Sequence, residues 1–160
     1  MLHSLTSRIV FVGAIVSVNL VCLSGLLLSA SNSMIATFEW NAHRQKITEI
    51  VSETLSDLRE AQAEERGYLL TTDPSFARNF DDRVASALAK VNQLEQLSQD
   101  NPIQHERAQS LQIATNERLD TLTKQIALAR QGRFDEARSR VVLGQGRVDM
   151  AIIDQKANEI

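Results

Sequence analysis

Apolar and polar positions divide the chain into two regimes. Residues 9–30 read IVFVGAIVSVNLVCLSGLLLSA, with no charge, no proline, and only Ser and Asn for polarity. At 1.5 Å per residue, about 22 residues cross a bilayer core of roughly 30 Å as one helix. Beyond residue 40 the apolar residues recur every three or four positions among charged ones, the period of amphipathic helices. The spacing offers Trp40, Ile47, Val51, Leu55, Leu58, Ala61 and Leu69 to a first helix, and Phe76, Phe80, Val84, Leu88, Val91, Leu94 and Leu97 to a second. It offers Ile103, Ala108, Leu111, Leu119, Leu122 and Ile126 to a third, and Phe134, Ala137, Val141, Val148 and Ile152 to a fourth.

Three breaks separate these segments. Asp73-Pro74 and Asn101-Pro102 each pair a capping side chain with a proline suited to the first helical position. Gly132 suits a left-handed helix end. The expected helices cover about 31–71, 74–99, 102–131 and 133–160. Short links make neighbours antiparallel. The expectation is an all-α chain: a cytoplasmic N-terminus at 1–8, a transmembrane helix at 9–30, and an up-down-up-down four-helix bundle at 31–160.

Charge sets the orientation. Arg8 abuts the apolar run, and no further Lys or Arg occurs until Arg44. This bias places the N-terminus in the cytoplasm and the bundle outside it. A cleaved signal peptide competes, with small residues at 29–31, but its apolar region usually spans only about 7–15 residues. Both ends of the bundle face the membrane, so a second span is expected after Ile160, the chain being the front piece of a longer receptor. Cys22 is the single cysteine and lies in the apolar run, so no disulfide braces the bundle. It reads as a small lipid-facing hydrophobe.

Composition changes the picture by exclusion. A net charge of −3, without basic patches interleaved with aromatics, argues against nucleic-acid binding. Glu39 and His43 share a helix face, but two ligands do not make a metal site. No Cys-x-x-Cys-His stretch offers haem attachment. No phosphate loop, nucleophile elbow or kinase motif occurs. Neither a cofactor nor enzymatic activity is expected of this chain.

The stretch Glu65-Arg66-Gly67-Tyr68-Leu69-Leu70-Thr71-Thr72-Asp73, with Phe76, resembles the signature of the type-3 CHASE domain, the cyclase and histidine-kinase associated sensory extracellular domain. Trp40 and His43 resemble that family's start of helix one. Asp100-Asn101-Pro102-Ile103-Gln104 resembles its second turn. Gly144-Gln145-Gly146 with Asp149-Met150 resembles its helix-four pattern. The resemblance covers about residues 35–160. It implies an extracytoplasmic sensory bundle between two spanning helices, ahead of a histidine kinase, a nucleotide cyclase or a chemoreceptor signalling region. This chain stops short of the second span and the output domain.

Two readings attach to Glu65, Arg66, Gly67 and Tyr68. As a ligand site, the guanidinium clamps an anion and Tyr68 supplies a stacking face. As an end-of-bundle network, Glu65 and Arg66 satisfy helix ends or each other, Gly67 permits close approach, and Tyr68 is buried. Trp40 and His43 read as residues at the bundle base near the lipid headgroups. Gly144 and Gly146 read as a hinge, a close crossing in a homodimer, or a plain kink. The expected function is signal input for a bacterial inner-membrane receptor, most directly a histidine kinase. A diguanylate cyclase or chemoreceptor input, and a single-pass scaffold, are the alternatives. Expected partners are membrane lipid, a second copy of the chain, and a small-molecule or protein stimulus.

Overall fold

Capping chemistry decides where the helices stop. The computed structural model describes the backbone of residues 2–142 and 145–160, and the side chains of residues 22–24, 40–141 and 146–160. The helices are α1 (Leu2–Thr71), α2 (Pro74–Leu97), α3 (Pro102–Arg130), α4 (Phe134–Val142) and α5 (Gln145–Asn158). The Asp73 carboxylate accepts the Ser75 amide at 2.9 Å, and Pro74 opens α2. The Asn101 Oδ1 accepts the amides of Ile103 and Gln104 at 3.1 and 3.3 Å, and Pro102 opens α3. Gly132 has φ 78°, and the Arg133 amide donates back to the Leu128 carbonyl at 3.0 Å, closing α3. Thr72 has φ 60°, a left-handed position that β-branched residues seldom take.

The chain divides into two units, Met1–Arg44 and Gln45–Ile160. Within the first, Trp40 is 59% exposed and carries the Arg44 guanidinium 4.8 Å from its ring centroid. His43 is half-buried, and Cys22 is a free, exposed thiol. Among the described residues no helix is long and apolar enough to cross a membrane. The run at 9–30 lies outside the residues with described side chains, apart from Cys22, Leu23 and Ser24.

The second unit is a helical bundle: the C-terminal part of α1, then α2, α3, and α4 with α5 in the fourth place. One apolar cluster joins Ile50 and Leu58 of α1, Leu94 of α2, Leu111 and Leu119 of α3, and Ile153 of α5. A second joins Tyr68 and Leu69 of α1, Phe80 of α2, Leu122 and Ile126 of α3, and Ala137 of α4. Between α1 and α2 runs a polar ladder. Glu64 accepts from Asn79, Glu60 pairs with Arg83, Asp57 accepts from Ser86, and Glu53 pairs with Lys90. Residue numbers fall along α1 as they rise along α2, so the pair is antiparallel. Lys156 with Ser110 and Arg107 with the Glu159 carbonyl give α3 and α5 the same relation.

The structure corrects several apolar assignments. Trp40, Leu88, Ile103, Val148 and Ile152 are exposed rather than core. The buried face of the last helix holds Ile153 and Ala157, one position along from the expected stripe. The reason is the division of residues 133–160 into α4 and α5. A single period counted from Phe134 does not carry across two helices.

Candidate functional site

The apolar stripe of α1 passes through Thr54, Leu58, Ala61, Glu65 and Tyr68, and that of α3 through Leu111, Thr115, Arg118, Leu122 and Gln125. Both stripes follow the three-four spacing of a buried helix seam. Glu65, Arg118 and Gln125 therefore occupy core positions, and they meet at a cavity of about 450 Å³. Gln62, Glu65 and Arg66 of α1 form one wall, and Arg118, Thr121, Lys124 and Gln125 of α3 another. Arg140 and Val141 of α4 and Gly146 and Arg147 of α5 complete it. Five cationic side chains thus surround one carboxyl group.

Glu65 is 1% exposed and Arg118 5%. The Glu65 Oε1 and the Arg118 Nε are buried without a hydrogen-bond partner among the described residues. Burial pushes the Glu65 carboxyl up to about 7, despite the opposing pull of Arg118 and Arg66. Burial lowers Arg118 in turn, against the pull of Asp149 at 3.6 Å and of Glu65. A group of Arg118's basicity stays charged regardless. A buried charge without full pairing is costly, so this cavity holds polarity that the core itself does not require.

Gly146 explains how Arg118 fits. A Cβ at Gly146 would sit 2.8 Å from the Arg118 Cζ and 2.9 Å from its Nη1. The missing side chain is the space that the guanidinium occupies. Gly67 has a different role, since a Cβ there would strike the ring of Phe76. Tyr68 is buried, with its ring 5.6 Å from that of Phe134 in an edge-on arrangement.

The Glu65-Arg66-Gly67-Tyr68 block is therefore split by the helix. Glu65 and Arg66 line the cavity, whereas Gly67 and Tyr68 pack against Phe76 and Phe134. Trp40 and His43 belong to the N-terminal unit and line none of it. Gly144 lies outside the described residues. Sequence reasoning missed Arg118, Lys124, Arg140 and Arg147. The available signal was Arg118 and Gln125 standing where α3 otherwise buries leucine. Among the described residues no cluster of three or more His, Cys, Asp or Glu side chains is placed to hold a metal ion.

A second polar centre was also missed. Asp57 is buried and accepts from Ser86 Oγ at 2.6 Å, Lys90 Nζ at 2.6 Å and Arg83 Nη1 at 3.3 Å. Burial pushes its carboxyl up, but the hydrogen bonds from Lys90 and Ser86 and the charge of Lys90 hold it below the usual value. It is a clamp between α1 and α2 with every partner in place.

Comparison with known proteins agrees with this architecture. The sensor domain of a histidine kinase (HK9) from Rhodopseudomonas palustris superposes with a TM-score of 0.66 at 22% identity, covering 71% of this chain and 89% of that one. That likeness establishes the shared fold. No curated protein matches the chain. The CHASE3 domain matches over residues 37–160, more than three quarters of the sequence, and the chain belongs to the CHASE3 domain family.

Proposed function

We propose that this chain is the signal-input module of a transmembrane receptor. The observation that carries the reading is a polar cavity set inside a helical bundle, lined from α1, α3, α4 and α5 together. A stimulus seated there touches helices from both ends of the module and shifts the balance between bundle arrangements by its differential affinity for them. The module is non-enzymatic, and its output is a histidine kinase region.

The uncharged run at 9–30, with Arg8 before it, supports a spanning helix in the bacterial inner membrane with a cytoplasmic N-terminus. In this reading the bundle is extracytoplasmic and works as a homodimer. The test has two parts. A reporter active only outside the cytoplasm is fused at Gln131 and is expected to work; activity of a cytoplasmic reporter there instead refutes the topology. The full chain is also joined to a histidine kinase output region in place of that kinase's own sensor. Kinase activity that ignores both Arg118→Gln and Tyr68→Ala refutes the sensory role.

A further inference from the structure

We infer that the cavity between α1, α3, α4 and α5 binds a small doubly charged anion, a phosphate or a dicarboxylate. The inference deepens the sensory reading and rests on it for its meaning in signalling, though not for the binding itself.

The charges around the cavity specify the ligand. Lys124 is paired with Asp120 at 2.5 Å and Arg140 with Glu136 at 3.1 Å. Arg118 has Asp149 at 3.6 Å. Arg66 and Arg147 form no ion pair among the described residues, yet both face the same space. With the Glu65 carboxyl protonated, two positive charges are thus left over at one partly open site. A ligand with two negative charges matches them, and guanidinium groups present paired N–H donors to phosphate or carboxylate oxygens.

The buried pair supplies the second observation. The Arg118 Nε is an unpartnered donor at a residue 95% hidden from solvent. A Glu65 carboxyl that is half protonated near neutrality adds a donor in place of a repelling charge. Gln125 is buried in the same wall and offers both a donor and an acceptor. A space of about 450 Å³ is within the range of small-molecule pockets and larger than one phosphate needs. It adjoins a groove of about 340 Å³ that shares Arg66 and Val141 and is otherwise lined by Leu69, Leu70 and Arg138. An organic dianion has room for its carbon body on that side.

The experiment uses the full chain in detergent micelles at fixed ionic strength. Sodium phosphate and sodium succinate are the probes, with acetate and chloride as monoanion controls. Calorimetric titration and thermal melting are expected to show saturable binding of at least one dianion, at least tenfold tighter than acetate. Arg66 and Arg147 are both exposed, so Arg66→Ala with Arg147→Ala leaves melting without anion unchanged and weakens the dianion at least tenfold. Phosphate binding without succinate binding assigns an inorganic ligand, and the reverse assigns an organic one. Neither dianion binding, acetate binding equally well, or the double variant binding like the parent overturns the inference. Binding that persists while a kinase chimera ignores the ligand sinks the sensory reading alone. A chimera whose output depends on Arg118 but which binds no dianion sinks the cavity assignment alone.

Discussion

The guanidinium of Arg118 lies in the space that a side chain at residue 146 would fill, so Gly146 and Arg118 form one fitted pair across α3 and α5. Gly67 and Phe76 make the same kind of pair across α1 and α2, with an aromatic ring in place of a flexible cation. The two glycines therefore respond differently to the same substitution. Gly67→Ala drives a methyl group into a ring and is expected to destabilise by about 1–3 kcal/mol. Gly146→Ala meets the far end of a long side chain, which swings aside, and it gains about 1 kcal/mol of helix propensity. Its net change in stability is expected to stay within about 1 kcal/mol, while dianion affinity falls because Arg118 has moved. Denaturant melts of both variants, with anion titration of the second, check the contrast.

Tyr68 and Arg66 are neighbours in sequence and opposites in role. Tyr68→Ala removes a buried ring from the cluster with Phe134 and Phe80 and is expected to cost about 3–5 kcal/mol. Arg66→Ala changes an exposed cation and is expected to alter stability by less than about 0.5 kcal/mol. A Tyr68→Ala variant melting like the parent removes the packing account and makes the whole block a recognition site.

Asp57 holds Lys90, Ser86 and Arg83 from a buried position. Asp57→Ala takes one acceptor from each of these donors, Arg83 and Lys90 keeping Glu60 and Glu53, and is expected to destabilise by about 1–3 kcal/mol. The folded carboxyl titrates below its ordinary value of 3.8. Its stabilisation is therefore present above that value and is lost as pH falls through the lower folded value. Acid unfolding followed by circular dichroism should shift to higher pH without one of its partners, as in Lys90→Met.

Glu65 works in the opposite direction and in another pH window. Its folded carboxyl titrates at about 7 against an ordinary 4.5, so the folded chain holds the proton longer than the unfolded chain does. Its contribution is complete below 4.5, declines by up to roughly 1.4 kcal/mol per pH unit, and is gone above about 7. Arg66 on α1, Arg118 and Lys124 on α3, Arg140 on α4 and Arg147 on α5 face the same cavity. Urea unfolding between pH 5 and 8 should show a falling slope in the parent chain. A slope of the same size in Glu65→Gln would exclude this origin.

The turns were legible because their chemistry is local. Asp73 with Pro74, Asn101 with Pro102, and Gly132 each act on the residue beside them, and a linear reading is enough. The cavity is not local. Arg66 and Arg147 are far apart in the chain and meet only after α1 and α5 pack, and each alone looks like an ordinary solvated charge. Glu65, Arg66, Gly67 and Tyr68 read as one block, but Gly67 turns toward Phe76 because successive helix residues diverge by about 100°, and Tyr68 lies one turn beyond Glu65 on the same stripe, against Phe134. Arg118 was readable in principle. It interrupts a leucine stripe, and a charge in a seam position is a question that the sequence itself poses.

The α1–α2 ladder has one more consequence. Its rungs on α1 are residues 53, 57, 60 and 64, and on α2 they are residues 79, 83, 86 and 90. Both edges step by the same four-three-four interval, like two matched gear racks. A slide smaller than one helical turn of about 5.4 Å takes every rung out of register, although Arg83 and Lys90 each also reach Asp57 in the neighbouring rung. These two helices are therefore expected to move together, with a displacement in the bundle borne by the joints to α3, α4 and α5. A cysteine cross-link between positions 60 and 83 should leave switching in a kinase chimera intact. Switching abolished by that link would show that the racks themselves shift.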